Sequence, residues 1–548
     1  MNPVSDDVQA RIAEVWNNMD ESWESFGKIL EDKCRVNAGK VALMTPRERI
    51  TYDQLDERVN RVGNALEALG VGKGDKVCLM LPNIPEFLYT WWGNAKLGGV
   101  TVPLNTALKG EGLAYLINHS DAETLVLSQR YVSALEAVRG GLRNLRRLIV
   151  LADDGAESAD LPADAIDFAD LLTAPATSPM KEVWSDDMDS IMYTSGTTGL
   201  PKGVIHRHSR CYGGFVLPIV TGYGTDDVVY NTLPLFHIGG QNMVWMALVS
   251  DTAAAMAERF SASGFWDDVR AYGATCTLFL GAMIPILAKQ PPRPDDHDNP
   301  LHIALSAAAP PAMWEDFEAR FGVRIVELYA QTEGGFMLNS DAKANGKIGA
   351  MGKPSGGYDM RVVDDNDNEL PAGETGELVY RSTTTDDLPE YYKNPEATAE
   401  KNRGGWIRSG DLAYRDADGY YFFVDRKSDF IRRRGENISS FEVEKVVNGH
   451  DDVLESAAYA LPSELGEDEV TVAVVLQPAA QLTPEALVRY CEARMAFFMV
   501  PRFVRFLDAF PKTGTERTMK YELKAQGVTP DTWDREAAGD RLKRQGTV

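Results

Sequence analysis

The chain has 548 residues, 44% hydrophobic and 25% charged, the composition of an ordinary globular protein too long for one core and expected to divide into at least two domains. Its formal net charge of -25 disfavours nucleic acid and anionic membrane surfaces as partners, because both would repel the overall field. The five cysteines are widely spaced without a CxxC pair, which argues against a disulfide framework or a zinc site. With no signal-peptide pattern at the start and no apolar run near the roughly 18 residues of a membrane span, the expected location is the cytoplasm.

In chain order, residues 51–70 read as a helix, and residues 151–187, rich in Ala, Asp and Pro without periodicity, read as an irregular surface connection. The strand-like run Ser190 to Tyr193 leads into YTSGTTGLPKGV at 193–204. Thr194, Ser195, Gly196, Thr197, Thr198, Gly199 and Lys202 make a phosphate cradle: glycines let the backbone approach an anion, hydroxyls and N–H groups donate, and the lysine adds charge. It is not a Walker A loop, since Gly203 follows the lysine.

Between Val228 and Leu328 short apolar runs (228–232, 275–280, 302–305, 324–328) alternate with helical spacing (265–272, 283–289, 311–321), a βαβ series predicting a parallel sheet. Ligands gather beyond the carboxyl ends of such strands. The Thr194 loop and the YAQTEGG segment at 329–335 both occupy that position, so they are predicted to line one crevice.

After Gly349 short strands and turns at 360–363 and 377–381 suit a small β-rich subdomain, followed by a hairpin turning at 416–419 into a strand at 420–424. A boundary is placed at the polar DRKSDF that comes next. Beyond it, a Ser439-to-Glu442 capping box opening a helix, strands near 455–461 and 469–476, and a helix from Thr483 and Pro484 read as a compact α+β domain.

These segments carry a resemblance. YTSGTTGLPKGV, YAQTEGG, SGDLAYRDADGYYFFVDR at 409–426 and RRGENISSFEVE at 433–444 follow in the order and at the distances of the AMP-forming acyl-CoA synthetases, which the chain resembles over nearly its whole length. Within that superfamily it looks most like the carnitine/crotonobetaine-CoA ligase-like branch. The implied fold is α/β: a large N-terminal domain of layered sheets with a small β-rich subdomain (1–425), a hinge (426–430) and a mobile α+β C-terminal domain (431–548). The implied activity uses ATP and Mg²⁺ to convert a carboxylic acid to acyl-AMP, then transfers the acyl group to CoA.

By the same resemblance, the Thr194–Lys202 loop closes over the β- and γ-phosphates, and Ala308, Ala309, Pro310, Tyr329, Ala330, Gln331 and Thr332 surround the nucleotide, with Tyr329 on adenine and Thr332 on the α-phosphate. Glu333 helps to hold Mg²⁺, Asp411 and Arg426 contact the ribose, Ser428 is the hinge, and Arg434, Gly435 and Glu436 serve the thioester step. Phe236, His237, Trp245 and Ala307 are expected at the acyl end. Taken without the resemblance, Glu333 reads as a solvated carboxylate, Tyr329 as a core residue at a strand end, Asp411 as a turn aspartate and Arg426 as a surface charge, while His237 either shapes the acyl site or packs there. A homodimer is compatible with this reading.

One departure is consequential. The family's late Pro-Lys-Thr motif ends in Gly-Lys, and that lysine bridges carboxylate and α-phosphate; here PKTGTERTMK puts Glu516 and Arg517 at those positions. Arginine keeps the charge but is planar, bidentate and bulkier, and Lys512 or Lys520 stands near enough in sequence to substitute. Where the family reads SGGAP and YGxTE, this chain has Ala for Gly at Ala307, Ala308 and Ala330, each adding a methyl near the nucleotide and acyl pocket. Two rival expectations remain: an adenylate-forming enzyme with a carrier-protein or amine acceptor, and a nucleotide- or acyl-binding protein without turnover.

Overall fold

The helix Tyr52–Ala68 begins where the sequence supplies a reciprocal cap: Thr51 N–H donates to Gln54 Oε1 at 3.0 Å, and Leu55, Val59, Val62 and Leu66 then fall on one buried face. The helix Pro85–Lys96 opens on a proline and is buried nearly all round, including Trp91 and Trp92. The computed structural model describes residues 25–152, 161–194, 200–221, 224–280, 283–355, 357–383, 388–427, 431–433, 436–462, 468–495, 498–512 and 518–539. The chain divides into two compact units, residues 1–359 with 380–407 and residues 360–379 with 408–548.

The first unit holds two large sheets. The nine-stranded one runs Lys353–Pro354, Gly334–Asn339, Arg324–Gln331, Ile303–Ala307, Cys276–Leu280, Val228–Asn231, Ala253–Met256, Val41–Met44 and Arg49–Thr51. Its central pairs are parallel, with Val229 beside Cys276, Cys276 beside Ile303 and Ile303 beside Arg324. The helices Phe265–Tyr272 and Trp314–Phe321 fall in the connections, as the alternating pattern predicts. The seven-stranded sheet runs Ala165–Asp167, Arg147–Leu151, Thr124–Ser128, Lys76–Met80, Val100–Pro103, Met188–Thr194 and Lys202–Arg207. One buried cluster draws Val77, Leu79 and Val126 from this sheet, Val229, Ala254 and Leu305 from the other, and Trp91, Trp92 and Trp245 from helices. A single apolar interior thus carries both sheets, the layered α/β architecture expected.

Two local readings are corrected. Residues 161–187 are not wholly irregular: Ala165–Asp167 joins the edge of the seven-stranded sheet, and Phe168–Leu171 forms a helical turn capped by Asp167 with Phe168 and Leu171 buried. So few apolar positions leave no visible period. The YAQTEGG segment does not begin as a loop either. The strand continues to Gln331 and returns antiparallel as Gly334–Asn339, with Tyr329 paired to Met337.

The second unit contains most of a four-stranded sheet ordered Tyr358–Val363, Thr375–Ser382, Ile407–Arg415 and Tyr421–Arg426, and a second sheet ordered Val453–Pro462, Asp468–Leu476, Phe503–Phe506 and Trp533–Asp534. The helix Ser440–Asn448 is capped by Ser439, whose Oγ accepts from Glu442 N–H at 3.2 Å, and the helix Pro484–Glu492 by Thr483. Val443, Val447, Val472, Val474, Leu487 and Val488 form its own core. Among the described residues no helix is long and apolar enough to cross a membrane.

Candidate active site

The strands Met188–Thr194 and Lys202–Arg207 form an antiparallel pair in which Thr194 faces Lys202, the two residues between which the glycine-rich sequence lies. Ser195, Gly196, Thr197, Thr198 and Gly199 lie outside the described residues. Below the loop, the Tyr193 hydroxyl and His119 Nδ1 are 2.7 Å apart. Lys202 Nζ lies 5.4 Å from the centroid of the Tyr391 ring, within the range of a cation–π contact.

Tyr391 reaches a second motif. Its hydroxyl donates to Glu333 Oε1 at 2.6 Å, and Lys401 Nζ lies 3.4 Å from the same oxygen, with both ends of this ion pair mostly buried. Lys202 and Glu333 therefore come together on Tyr391, although the strand of Lys202 and the hairpin carrying Glu333 belong to different sheets. Their proximity is arranged by Tyr391 and not by a shared crevice of one sheet. From the strand Thr375–Ser382 the Tyr380 hydroxyl donates to Gln331 Oε1 of the hairpin at 3.4 Å, and Tyr329 is half-buried. Gly335 takes φ +76° with the Tyr380 ring pressed against it, a position that favours glycine.

The loop Ala307–Pro310 leaves the carboxyl end of the neighbouring strand. Ala308 holds φ +70° despite its side chain, and the N–H groups of Ala308 and Ala309 donate to Glu327 Oε1 and Oε2 at 2.6 and 3.1 Å. Burial pushes the Glu327 carboxyl up to about 8, against the pull of these two N–H donors.

At the expected acyl end, Phe236 and His237 lie ring to ring with centroids 4.7 Å apart, just before the helix Ile238–Val249. Gly240 is needed there, since a Cβ would come within 2.4 Å of the Pro234 carbonyl oxygen. Burial lowers the His237 imidazole to about 4 and leaves Nε2 without a hydrogen-bond partner among the described residues. Trp245 sits deeper: its indole N–H donates to the Cys211 carbonyl at 2.8 Å, its ring meets Phe26 edge-on, and it is 1% exposed. It packs behind the helix.

In the second unit, Asp411 lies in the strand Ile407–Arg415 and not in a free turn, paired across the sheet with Arg426. Arg426 Nε is 2.7 Å from Asp411 Oδ1, and the Asp411 side chain is almost fully buried. Next to Arg426, Asp425 accepts from the Ser440 N–H at 2.5 Å, and Lys520 donates to Ser440 Oγ and Glu444 Oε1 at 2.7 Å each. Lys512 is paired with Glu455 at 2.8 Å. Both lysines that stand near Arg517 in sequence are thus engaged with carboxylates of their own unit. Ser428, Arg434, Gly435 and Arg517 lie outside the described residues, and of Glu436 only its place in the strand Glu436–Ile438 is described.

Reading the motifs singles out Tyr329, Thr332, Glu333 and Lys202 but passes over Glu327, Tyr391 and Lys401. The YYKNPEAT context of Tyr391, an aromatic pair just before the Asn394 cap and Pro395, is a signal that could have marked it.

The model of the AMP-binding enzyme family matches residues 30–385, and that of the AMP-binding enzyme C-terminal domain matches residues 442–517. A crotonobetaine/carnitine–CoA ligase of Salmonella paratyphi A is 32% identical over 519 residues, covering 92% of this chain and 99% of the relative. Among solved structures, an anthranilate CoA ligase in complex with anthranoyl-AMP superposes with TM-score 0.83 at 26% identity, covering 95% of this chain and 99% of that one. A benzoate CoA ligase from Burkholderia xenovorans LB400 gives TM-score 0.79 at 26% identity, covering 91% and 99%. With a glycine-rich loop, an aromatic hairpin and a buried aspartate carried on this fold, the chain belongs to the AMP-binding enzyme family as an AMP-forming acyl-CoA synthetase, an ATP-dependent carboxylate:CoA ligase.

Proposed function

We propose that the chain activates a small carboxylic acid in two steps, with the residues above in definite roles. A carboxylate does not react with a thiol, because an oxide would have to leave; attack on the α-phosphorus of ATP turns that oxygen into a good leaving group as pyrophosphate departs. Holding two anions together and offsetting the charge at phosphorus is the enzyme's task. The loop Thr194–Lys202 holds the β- and γ-phosphates, Tyr329 stacks on adenine between Ala308–Pro310 and Ala330–Gln331, and Thr332 donates to the α-phosphate. Asp411 accepts from the ribose hydroxyls and Arg426 steadies it.

Glu333 fits Mg²⁺. Magnesium takes one or two carboxylates and completes its shell with water and substrate phosphate, and Glu333 offers a hard oxygen oriented by the Tyr391 hydroxyl. When bound there, the ion supplies positive charge against the nucleotide phosphates. Arg517 is assigned to the carboxylate and α-phosphate, Ser428 within 426–430 to the hinge, and Arg434, Gly435 and Glu436 to the passage of the CoA thiol. The aromatic Phe236 and neutral His237, with Ala307, form the acyl wall.

The observation that carries this reading is Tyr391 touching both Lys202 and Glu333, which supports one phosphate and metal centre built from two sheets. The five described cysteines are free and buried, which supports a reducing, cytoplasmic setting. Light scattering checks a homodimer. Mass spectrometry of reactions with Mg²⁺, ATP, CoA and a panel of aromatic, branched, short and betaine-type acids identifies the substrate: acyl-CoA and AMP are expected from at least one class. Acyl-adenylate that persists in the presence of CoA would point to another acceptor.

A further inference from the structure

Glu327 lies two residues before Tyr329 on the same strand, in register with Ser306 on one side and Asn339 on the other. It is 5% exposed, and its two oxygens accept from two consecutive N–H groups, those of Ala308 and Ala309. Those groups flank a non-glycine residue at φ +70°. An L-residue with a Cβ resists that region, so an Ala there persists only when its surroundings over-determine it. Two hydrogen bonds donated to one buried carboxyl group are such a determinant.

We propose that Glu327 is a positioning residue for nucleotide binding: its carboxylate holds the Ala307–Pro310 loop in its strained left-handed form and so sets that loop against Tyr329. The inference rests on the nucleotide reading of this site. It explains how the chain carries Ala where backbone freedom would favour Gly, since the clamp supplies what the missing glycine would. It also makes a coupling between two positions that a merely structural carboxylate would not show. Without the clamp, Ala308 relaxes toward negative φ and the loop shifts; with glycine at 308 the left-handed form costs little, and the loop keeps its place without the clamp.

The test is calorimetric binding of ATP with Mg²⁺ to the full chain, with thermal unfolding monitored in parallel. Glu327→Gln is expected to weaken ATP binding about tenfold, because an amide nitrogen in place of one oxygen cannot accept from its N–H group. Adding Ala308→Gly in that background is expected to recover at least about threefold of it, because Gly accepts the conformation freely. Glu327→Asp, which withdraws the carboxylate by one methylene, serves as a second variant and should weaken binding in the same direction. Unchanged ATP affinity in both Glu327 variants, or no recovery on adding Ala308→Gly, overturns the inference while leaving the ligase reading intact. Failure of the unsubstituted chain to bind ATP overturns both.

Discussion

The Tyr391 hydroxyl donates to the Glu333 carboxylate at 2.6 Å while the face of the same ring lies 5.4 Å from Lys202 Nζ. Burial first, and then the neighbouring carboxylate, raise this hydroxyl far above its ordinary value, so it remains a donor. One side chain therefore fixes the direction of a carboxylate and the place of a cation whose backbones belong to different sheets. Tyr391→Phe keeps the ring and removes the donor; it is expected to slow acid-dependent pyrophosphate release about tenfold, the cost of one hydrogen bond to a charged group. Tyr391→Ala removes both contacts and should cost more. A Tyr391→Phe rate equal to that of the unsubstituted enzyme would show that the hydroxyl plays no part, and equal rates for the two variants that the ring adds nothing.

Lys401 stands 3.4 Å from Glu333 with its side chain 12% exposed. A cation held there competes with a metal for the same oxygen. Lys401→Met is expected to lower the Mg²⁺ concentration giving half-maximal pyrophosphate release by about fivefold, since removing a partly buried opposing charge is worth about 1 kcal/mol. An increase in that concentration would mean that Lys401 supports the phosphates and does not oppose the metal.

The Asp411–Arg426 pair, 2.7 Å apart with the aspartate buried, predicts strong coupling. Asp411→Ala strands Arg426 and removes an acceptor for the ribose hydroxyls, so KM for ATP should rise at least about tenfold. Arg426→Ala alone should cost less, and the double variant less than the sum of the two, by about 1 kcal/mol or more. Additive losses in steady-state kinetics would separate the two residues.

His237 gives a pH prediction. Burial holds its imidazole neutral down to about 4, whereas in the unfolded chain it takes up a proton near 6.5. The stability it contributes is thus fully present above about pH 6.5 and is lost as the pH falls toward 4. Comparing denaturant midpoints of the unsubstituted chain and His237→Gln across that window should show an acid limb shallower in the variant by about one proton. Identical slopes would place the histidine in contact with water.

The βαβ series was legible because its signals are local. The helix Phe265–Tyr272 has both ends readable, closing on Gly273 at φ +66°, and the strand runs at 276–280 and 324–328 are apolar at the right spacing. The full length of the Tyr329 strand was not legible, because it is set by pairing with Met337 across a turn that carries no apolar period. Tyr391 and Glu333 are 58 residues apart, and the contact between them follows from tertiary packing alone. Motif reading singles out the residues proposed to face a ligand; the contacts that Tyr391 makes with Glu333 and Glu327 with Ala308 and Ala309 emerge only once the chain is folded. The same holds for Lys512 and Lys520, whose charges look available in PKTGTERTMK and are taken up by Glu455 and Glu444.

Arg517 is the cation of that segment proposed to serve adenylation. Arg517→Ala is expected to slow acyl-adenylate formation about a hundredfold, the cost of an electrostatic donor to the reacting phosphate, while thioester formation from supplied acyl-adenylate changes far less. Arg517→Lys should stay close to the unsubstituted enzyme or exceed it. Equal losses in both half-reactions would remove Arg517 from the first.

The central claim is that a substrate carboxylate attacks the α-phosphorus of ATP and the acyl group then passes to CoA. Supplying the acid with ¹⁸O in its carboxylate tests it most directly, by mass spectrometry of AMP, pyrophosphate and acyl-CoA after turnover. The account predicts one ¹⁸O in AMP, none in pyrophosphate, and acyl-CoA formed in equal amount. Label in orthophosphate or pyrophosphate, or acyl-CoA formed with unlabelled AMP, would contradict it.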